Sequence, residues 1–175
     1  MVDEPVDEEF RREAVACLAG LYGFALSLCH DRSIAEDLVQ EAYLRALSAR
    51  RKAAPHENLR SWLFAILHNV WRNEVRRRRP APLEDAPSSS LIAKESDPED
   101  ALSRLETDER VRRAVTLLPE AFREVILLRC VEGFSYHELA IILGCPAGTV
   151  MSRLARARAL LRRSLTVRAE RHGAA

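Results

Sequence analysis

Residues that favour β-structure are scarce in this chain: valine, isoleucine and threonine together fill 22 of 175 positions, whereas leucine, alanine and arginine fill 74. That balance favours helices and excludes a large sheet, and with it an α/β enzyme core. No run of about 18 apolar residues occurs. The stretch Met1 to Glu9 holds five acids and no base, so neither a membrane span nor a signal peptide is expected and the chain reads as cytoplasmic, with no membrane insertion. Four cysteines, Cys17, Cys29, Cys130 and Cys145, include no CxxC pair. Their wide spacing suits neither a zinc site nor a disulfide-rich secreted fold, and they are expected to be reduced and mostly buried. No metal, no cofactor and no enzymatic activity are expected. Net charge is also nearly absent, with 27 basic against 26 acidic side chains, and no internal repeat is evident.

Local composition divides what the totals leave whole. Pro80 to Asp100 holds four prolines, three consecutive serines and six acids against the single base Lys94, the composition of a flexible acidic linker. The expected organisation is therefore two small helical domains, residues 8–80 and 102–168, joined by a linker over 81–101. In the first segment, Phe10 to Leu28 reads as one buried helix, with Val15, Leu18, Leu21, Tyr22, Ala25 and Leu28 inward, ending at His30-Asp31. Ser33 with Glu36 forms a capping-box signature opening a helix whose Ile34, Leu38, Ala42 and Leu47 point inward. A third helix follows Asn58, its apolar face carried by Leu59, Trp62, Leu63, Ile66, Leu67 and Val70.

In the second segment a helix over about Leu102 to Leu117 is followed by Pro119, tolerated in the first turn of the next, and Gly133 is the expected stop. Ser135 and Glu138 give another capping box, Gly144 ends that short helix, and Pro146 opens the last, which runs to about Val167. A small Ala140, a turn glycine and inward Val150 and Leu154 have the spacing of a helix-turn-helix. On a 100° wheel the last helix buries Val150, Leu154, Ala157 and Leu161 and turns Ser152, Arg156, Ala159 and Arg163 outward, flanked by Thr149 and Arg153. Arginine donates two hydrogen bonds to a guanine edge, hydroxyls bind phosphates or bases, and alanine admits close approach to a groove.

A second basic face ends the third helix, where His68, Asn69, Arg72 and Arg76 share one side and Arg77, Arg78 and Arg79 follow. Phe64 and Trp71 flank it, a pairing of aromatic planes with cations that suits single-stranded nucleic acid, although Phe64 also reads as core. Arg50, Arg51 and Lys52 add cations for a phosphate backbone. The acids Glu36, Asp37 and Glu41, with Gln40, read either as a contact for a basic protein partner or as helix-start charges that complement the dipole.

Taken together, Ala35-Glu36-Asp37-Leu38-Val39-Gln40-Glu41, Trp62-Leu63-Phe64-Ala65-Ile66-Leu67-His68-Asn69, Leu118-Pro119-Glu120, Glu132-Gly133-Phe134-Ser135-Tyr136 and Gly148-Thr149-Val150-Met151-Ser152-Arg153-Leu154-Ala155-Arg156-Ala157-Arg158 make the chain resemble an extracytoplasmic-function (ECF) RNA polymerase sigma factor of the sigma-70 family. The resemblance covers about Phe10 to Leu165. It implies an all-α protein with a sigma region 2 bundle and a sigma region 4 helix-turn-helix, without region 3. It implies docking of Glu36, Asp37, Leu38, Gln40 and Glu41 on bacterial core RNA polymerase. Arg50, Arg51, Asn69, Trp71, Arg72, Asn73 and Arg76 would recognise and help melt the −10 element. Thr149, Met151, Ser152, Arg153, Arg156 and Arg163 would read the duplex −35 element, with Met151 standing where many relatives carry a polar or basic residue. A separate anti-sigma factor is the implied regulator.

Three other readings remain. A plain helix-turn-helix regulator leaves the acidic docking helix and the aromatic strip unexplained. A sigma-like decoy has no need of the basic recognition helix. A hydrolase built on Ser135, His137 and Glu138 conflicts with their placement in one cap and first turn.

Overall fold

A computed structural model of the chain describes residues 5–50, 58–78 and 102–172. Among these there is no strand. The helices are α1 (Pro5–Ala16), α2 (Leu18–Cys29), α3 (Arg32–Arg50), α4 (Leu59–Arg78), α5 (Leu102–Thr116), α6 (Glu120–Ile126, continued by a π-helical turn over Leu127–Val131), α7 (Tyr136–Leu143) and α8 (Ala147–His172). The expected linker and most of the basic loop after α3 lie outside the described residues. By packing, the chain divides into two units, Met1–Pro82 with Phe134–Ala147, and Leu83–Gly133 with Gly148–Ala175. Thus α7 goes with α1 to α4, a grouping that the linker's position in the sequence does not convey.

The first unit corrects the expected single N-terminal helix. Cys17 interrupts it: its N–H is shared between the carbonyls of Glu13 and Ala14, and the axis bends by 45°. The break re-registers the inward stripe to Phe10, Ala14, Cys17 and Leu21, leaving Val15 69% and Leu18 46% exposed instead of buried. Tyr43 of α3 donates its hydroxyl to the Ala14 carbonyl at this break, and burial pushes its phenol up to about 12. His30 ends α2 in the left-handed region, φ 56°, a conformation histidine tolerates better than branched residues do. The next cap is Asp31, not Ser33: its carboxylate accepts from Ile34 N–H at 3.0 Å, and α3 starts at Arg32, two residues earlier than the Ser33-Glu36 pair requires. Asn58 does cap α4, accepting from Ser61 N–H at 3.1 Å.

The core of this unit is the buried stripe of α4, Leu63, Phe64, Leu67 and Val70. Phe64 sits 5.7 Å from Phe24 of α2 and 4.9 Å, edge to face, from Phe134, which leads into α7. Such ring pairs add about 0.5–1.5 kcal/mol beyond area burial. The Arg60 guanidinium lies 4.3 Å from the Phe134 ring centre, a cation–π distance. Asn58 Nδ2 also donates to Glu138 Oε1 at 2.6 Å, so the caps of α4 and α7 are bonded to each other.

The reciprocal Ser135-Glu138 capping box is formed. Gly144 (φ 59°) closes α7, and the Cys145 N–H reaches back to the Ala140 carbonyl at 3.1 Å, the bond of a Schellman turn. In the second unit Ala114, Leu118, Val125, Ile126, Leu128, Val150, Leu154 and Ala157 are buried. Pro119 is the N-cap of α6 rather than a residue of its first turn, and Arg123 donates to the Thr116 carbonyl at the end of α5 at 3.0 Å. Gly133 (φ 75°) follows the π turn. Of the cysteines only Cys17 is buried; Cys29 and Cys145 are half-buried and Cys130 is exposed, because Cys130 lies on the outer side of the π turn.

The Ser135 hydroxyl and N–H, aided by Asn58 and Arg60, hold the Glu138 carboxyl below the usual carboxylate range. A depressed native value means that these bonds stabilise the fold at neutral pH and are lost as pH falls through the native value of Glu138. Glu138→Gln is therefore expected to flatten the fall of thermal stability in that acidic window, read by melting at stepped pH. Equal slopes for both proteins would remove the linkage. Ser135→Ala is expected to cost about 1 kcal/mol by loss of the cap, measured by urea denaturation.

Candidate polymerase and nucleic-acid interfaces

Three helix faces carry the residues singled out by the sequence. On α3, Glu36, Asp37 and Gln40 are exposed, whereas Leu38 is 4% exposed and belongs to the core, so it cannot belong to a docking face. Glu41 is half-buried and ion-paired with Arg45 at 2.7 Å, one helical turn on, an arrangement worth a few tenths of a kcal/mol. Leu47, expected inward, is 45% exposed, and Leu44 is 60% exposed. Asp37, Gln40, Leu44 and Leu47 follow the 3-4-3 spacing of one helix ridge. The face is thus acidic at its start and apolar at its end. Sequence reasoning missed Leu44 and misplaced Leu47, because α3 holds more apolar residues than one inward stripe accommodates.

On α4, burial of Leu63, Phe64, Leu67 and Val70 turns Asn69, Arg72, Asn73 and Arg76 to solvent. Two expected neighbours are not among them. His68 is 3% exposed and lies within the bundle, and Phe64 is fully buried. Trp71 is half-buried and stands about 200° round the helix from Asn69, on the side that the core stripe occupies. The predicted strip of aromatic planes beside cations is therefore not formed; what α4 offers is a surface of two amides and two guanidinium groups. Arg50 is in α3 but its side chain, like all of Arg51 and Lys52, lies outside the described residues.

On α8 the expected wheel holds. Val150, Leu154 and Ala157 are buried and Leu161 is half-buried, while Ser152, Arg156, Ala159 and Arg163 are exposed, with Thr149 and Arg153 partly so. The Ser152 hydroxyl donates to the Thr149 carbonyl at 3.0 Å, which leaves its oxygen as an acceptor. Arg163 stands about 16 Å along the axis from Ser152, within reach of a different phosphate or base step. Met151 is exposed on the flank of this face. Ser135 and Glu138 bond each other as a cap, which accounts for both without catalysis. Among the described residues no single helix is long and apolar enough to cross a membrane.

Known proteins share this arrangement. The family described as Sigma-70 region 2 matches residues 15–81, and that described as Sigma-70, region 4 matches residues 100–161. The chain is 40% identical over 157 residues to the ECF RNA polymerase sigma factor EcfG of Rhodopseudomonas palustris, covering 90% of this chain and 85% of that one. It is 36% identical to the ECF RNA polymerase sigma-E factor of Escherichia coli K12 over 70% of this chain and 69% of the other. The sigma factor RpoE of Bartonella quintana, solved in complex with the anti-sigma factor NepR, superposes with a TM-score of 0.68 at 31% identity over 91% of this chain and 98% of that chain. Two sigma regions in order, on helices whose free faces divide into acidic, polar-cationic and basic, identify the protein: the chain belongs to the extracytoplasmic-function sigma factors of the sigma-70 family, transcription factors that direct initiation at specific promoters.

Proposed function

We propose that the three exposed faces divide the work of initiation. The α3 ridge docks on core RNA polymerase, the α4 face engages the −10 element as it opens, and the first turns of α8 read the −35 element as duplex. The observation that carries this reading is the exposure of three chemically distinct faces on helices whose opposite sides are fixed by burial. The acids and leucines of α3 suit a basic, amphipathic helical partner. The amides and guanidinium groups of α4 suit bases and phosphates freed from pairing. The short side chains of α8, interrupted by Arg156, suit entry into a major groove.

In this reading residues 8–80 form the region that docks and opens, residues 102–168 the region that reads the −35 element, and residues 81–101 the tether. Docking rests on Glu36, Asp37, Gln40 and Glu41, to which we add Leu44 and Leu47. Recognition of the −10 element rests on Asn69, Arg72, Asn73 and Arg76, with Arg50 and Arg51 as backbone contacts. Recognition of the −35 element rests on Thr149, Met151, Ser152, Arg153, Arg156 and Arg163. The chain acts with core polymerase as a non-enzymatic factor in the cytoplasm, and its regulator is a separate anti-sigma protein, as with the Bartonella relative.

In vitro transcription with bacterial core polymerase and a pooled promoter library is expected to yield starts downstream of one shared pair of elements; no specific starts would overturn the reading. Arg156→Ala is expected to lose about 1–3 kcal/mol of discrimination at one −35 position; an equal loss on every sequence would reduce its role to a phosphate contact. For Arg72→Ala, permanganate reactivity of −10 thymines is expected to fall while co-elution with core polymerase is kept. Leu44→Asp reverses that pattern: loss of co-elution, with the helical circular dichroism and melting temperature unchanged.

A further inference from the structure

Met151 is the residue of α8 whose chemistry fits its surroundings least. It is 52% exposed, more than Leu160 (37%), the other exposed large apolar residue of α8, and the outward residues of the first turns around it are small, hydroxyl or arginine. Its neighbours one turn away on the helix are Ala147, Gly148 and Ala155, all exposed, and Leu154, which is buried. A side-chain carbon added at Gly148 would meet nothing within 4 Å. The solvent side of the thioether is therefore bordered at these positions by small residues, with Leu154 on its buried side. Arg156 and Arg158 stand exposed one to two turns further on, cations placed to hold phosphates on either side of whatever the methionine touches.

We propose that Met151 reads a thymine of the −35 element through the 5-methyl group of the base. Methionine has no hydrogen-bond donor and only a weak acceptor, so it cannot read the donor and acceptor pattern that distinguishes guanine, cytosine and adenine. The thymine methyl is the one apolar group that base edges display in the major groove. An unbranched, flexible side chain adapts its three torsions to meet it. Gly148 and Ala155 allow the helix to come close enough for that contact. The inference rests on the reading that α8 enters the −35 major groove, and it converts an apolar departure on a polar face into a specificity for one base.

The test uses holoenzyme assembled from core polymerase and the full chain, on the promoter identified by transcript mapping. Each −35 thymine, on either strand, is replaced in turn by deoxyuridine, which keeps every hydrogen-bonding group and removes only the methyl. At one position the replacement is expected to lower affinity about three- to fivefold, the worth of one buried methyl. Met151→Ala is expected to lose a similar factor on the thymine promoter and to become indifferent to uracil at that position. Uracil tolerated at every position, an unchanged uracil effect in Met151→Ala, or an element without thymine each overturns the proposal. A Met151→Ala holoenzyme that initiates normally while the free variant no longer binds an anti-sigma protein assigns the knob to a protein contact, and likewise overturns it. If scrambling the whole −35 element leaves initiation unchanged, the reading of α8 itself fails; if scrambling abolishes initiation while uracil is neutral, only the methionine contact fails.

Discussion

Burial of one stripe of α4, centred on Phe64 and Leu67, is the constraint on which the rest of the first unit depends. Phe64 is fully buried and touches rings from two other parts of the chain, Phe24 and Phe134. A helix repeats every 3.6 residues, so fixing residues 63, 64, 67 and 70 inward leaves no freedom in what faces water. Asn69, Arg72, Asn73 and Arg76 are exposed because the aromatic cluster is not. The free face of α4 is thus a consequence of packing, and a mutation that loosened Phe64 would blur that face without touching any of its residues.

The second unit obeys the same logic with less apolar material. Val150, Leu154 and Ala157 anchor one side of α8, and alanines on the other side keep it low. The turn that ends α7 is closed locally, where Gly144 adopts a left-handed φ and the Cys145 N–H closes a Schellman bond.

The long periodic stretches were legible from the residues alone: α4 with its Asn58 cap, the Ser135-Glu138 box, the Gly144 turn and the wheel of α8. These are cases where local chemistry and tertiary packing agree. Where they failed, a non-local contact decided. The bend at Cys17 is supported by Tyr43, 26 residues further along the chain, and no pattern within residues 10–28 announces it. Asp31 displaced Ser33 as a cap because two residues two positions apart compete for the same orphan N–H groups. The orientation of Trp71 follows from α4 continuing as an α-helix with its stripe already set, which the attraction of an aromatic residue beside arginines obscured. Leu44 and Leu47 look like core by type, and only the packing of α3 shows them exposed.

The near balance of 27 bases and 26 acids has a mechanistic consequence once the charges are located. Non-specific affinity for DNA grows with the number of phosphates neutralised, and here the cations are split between the ends of two helices while the α3 face is acidic. With a net charge of +1 the chain as a whole has little bulk attraction to DNA. In the proposed reading, docking through α3 turns both DNA contacts into intramolecular events at a raised effective concentration. Separate faces of this kind suit the proposed initiation factor, whose specificity would then emerge when polymerase holds both faces to one promoter.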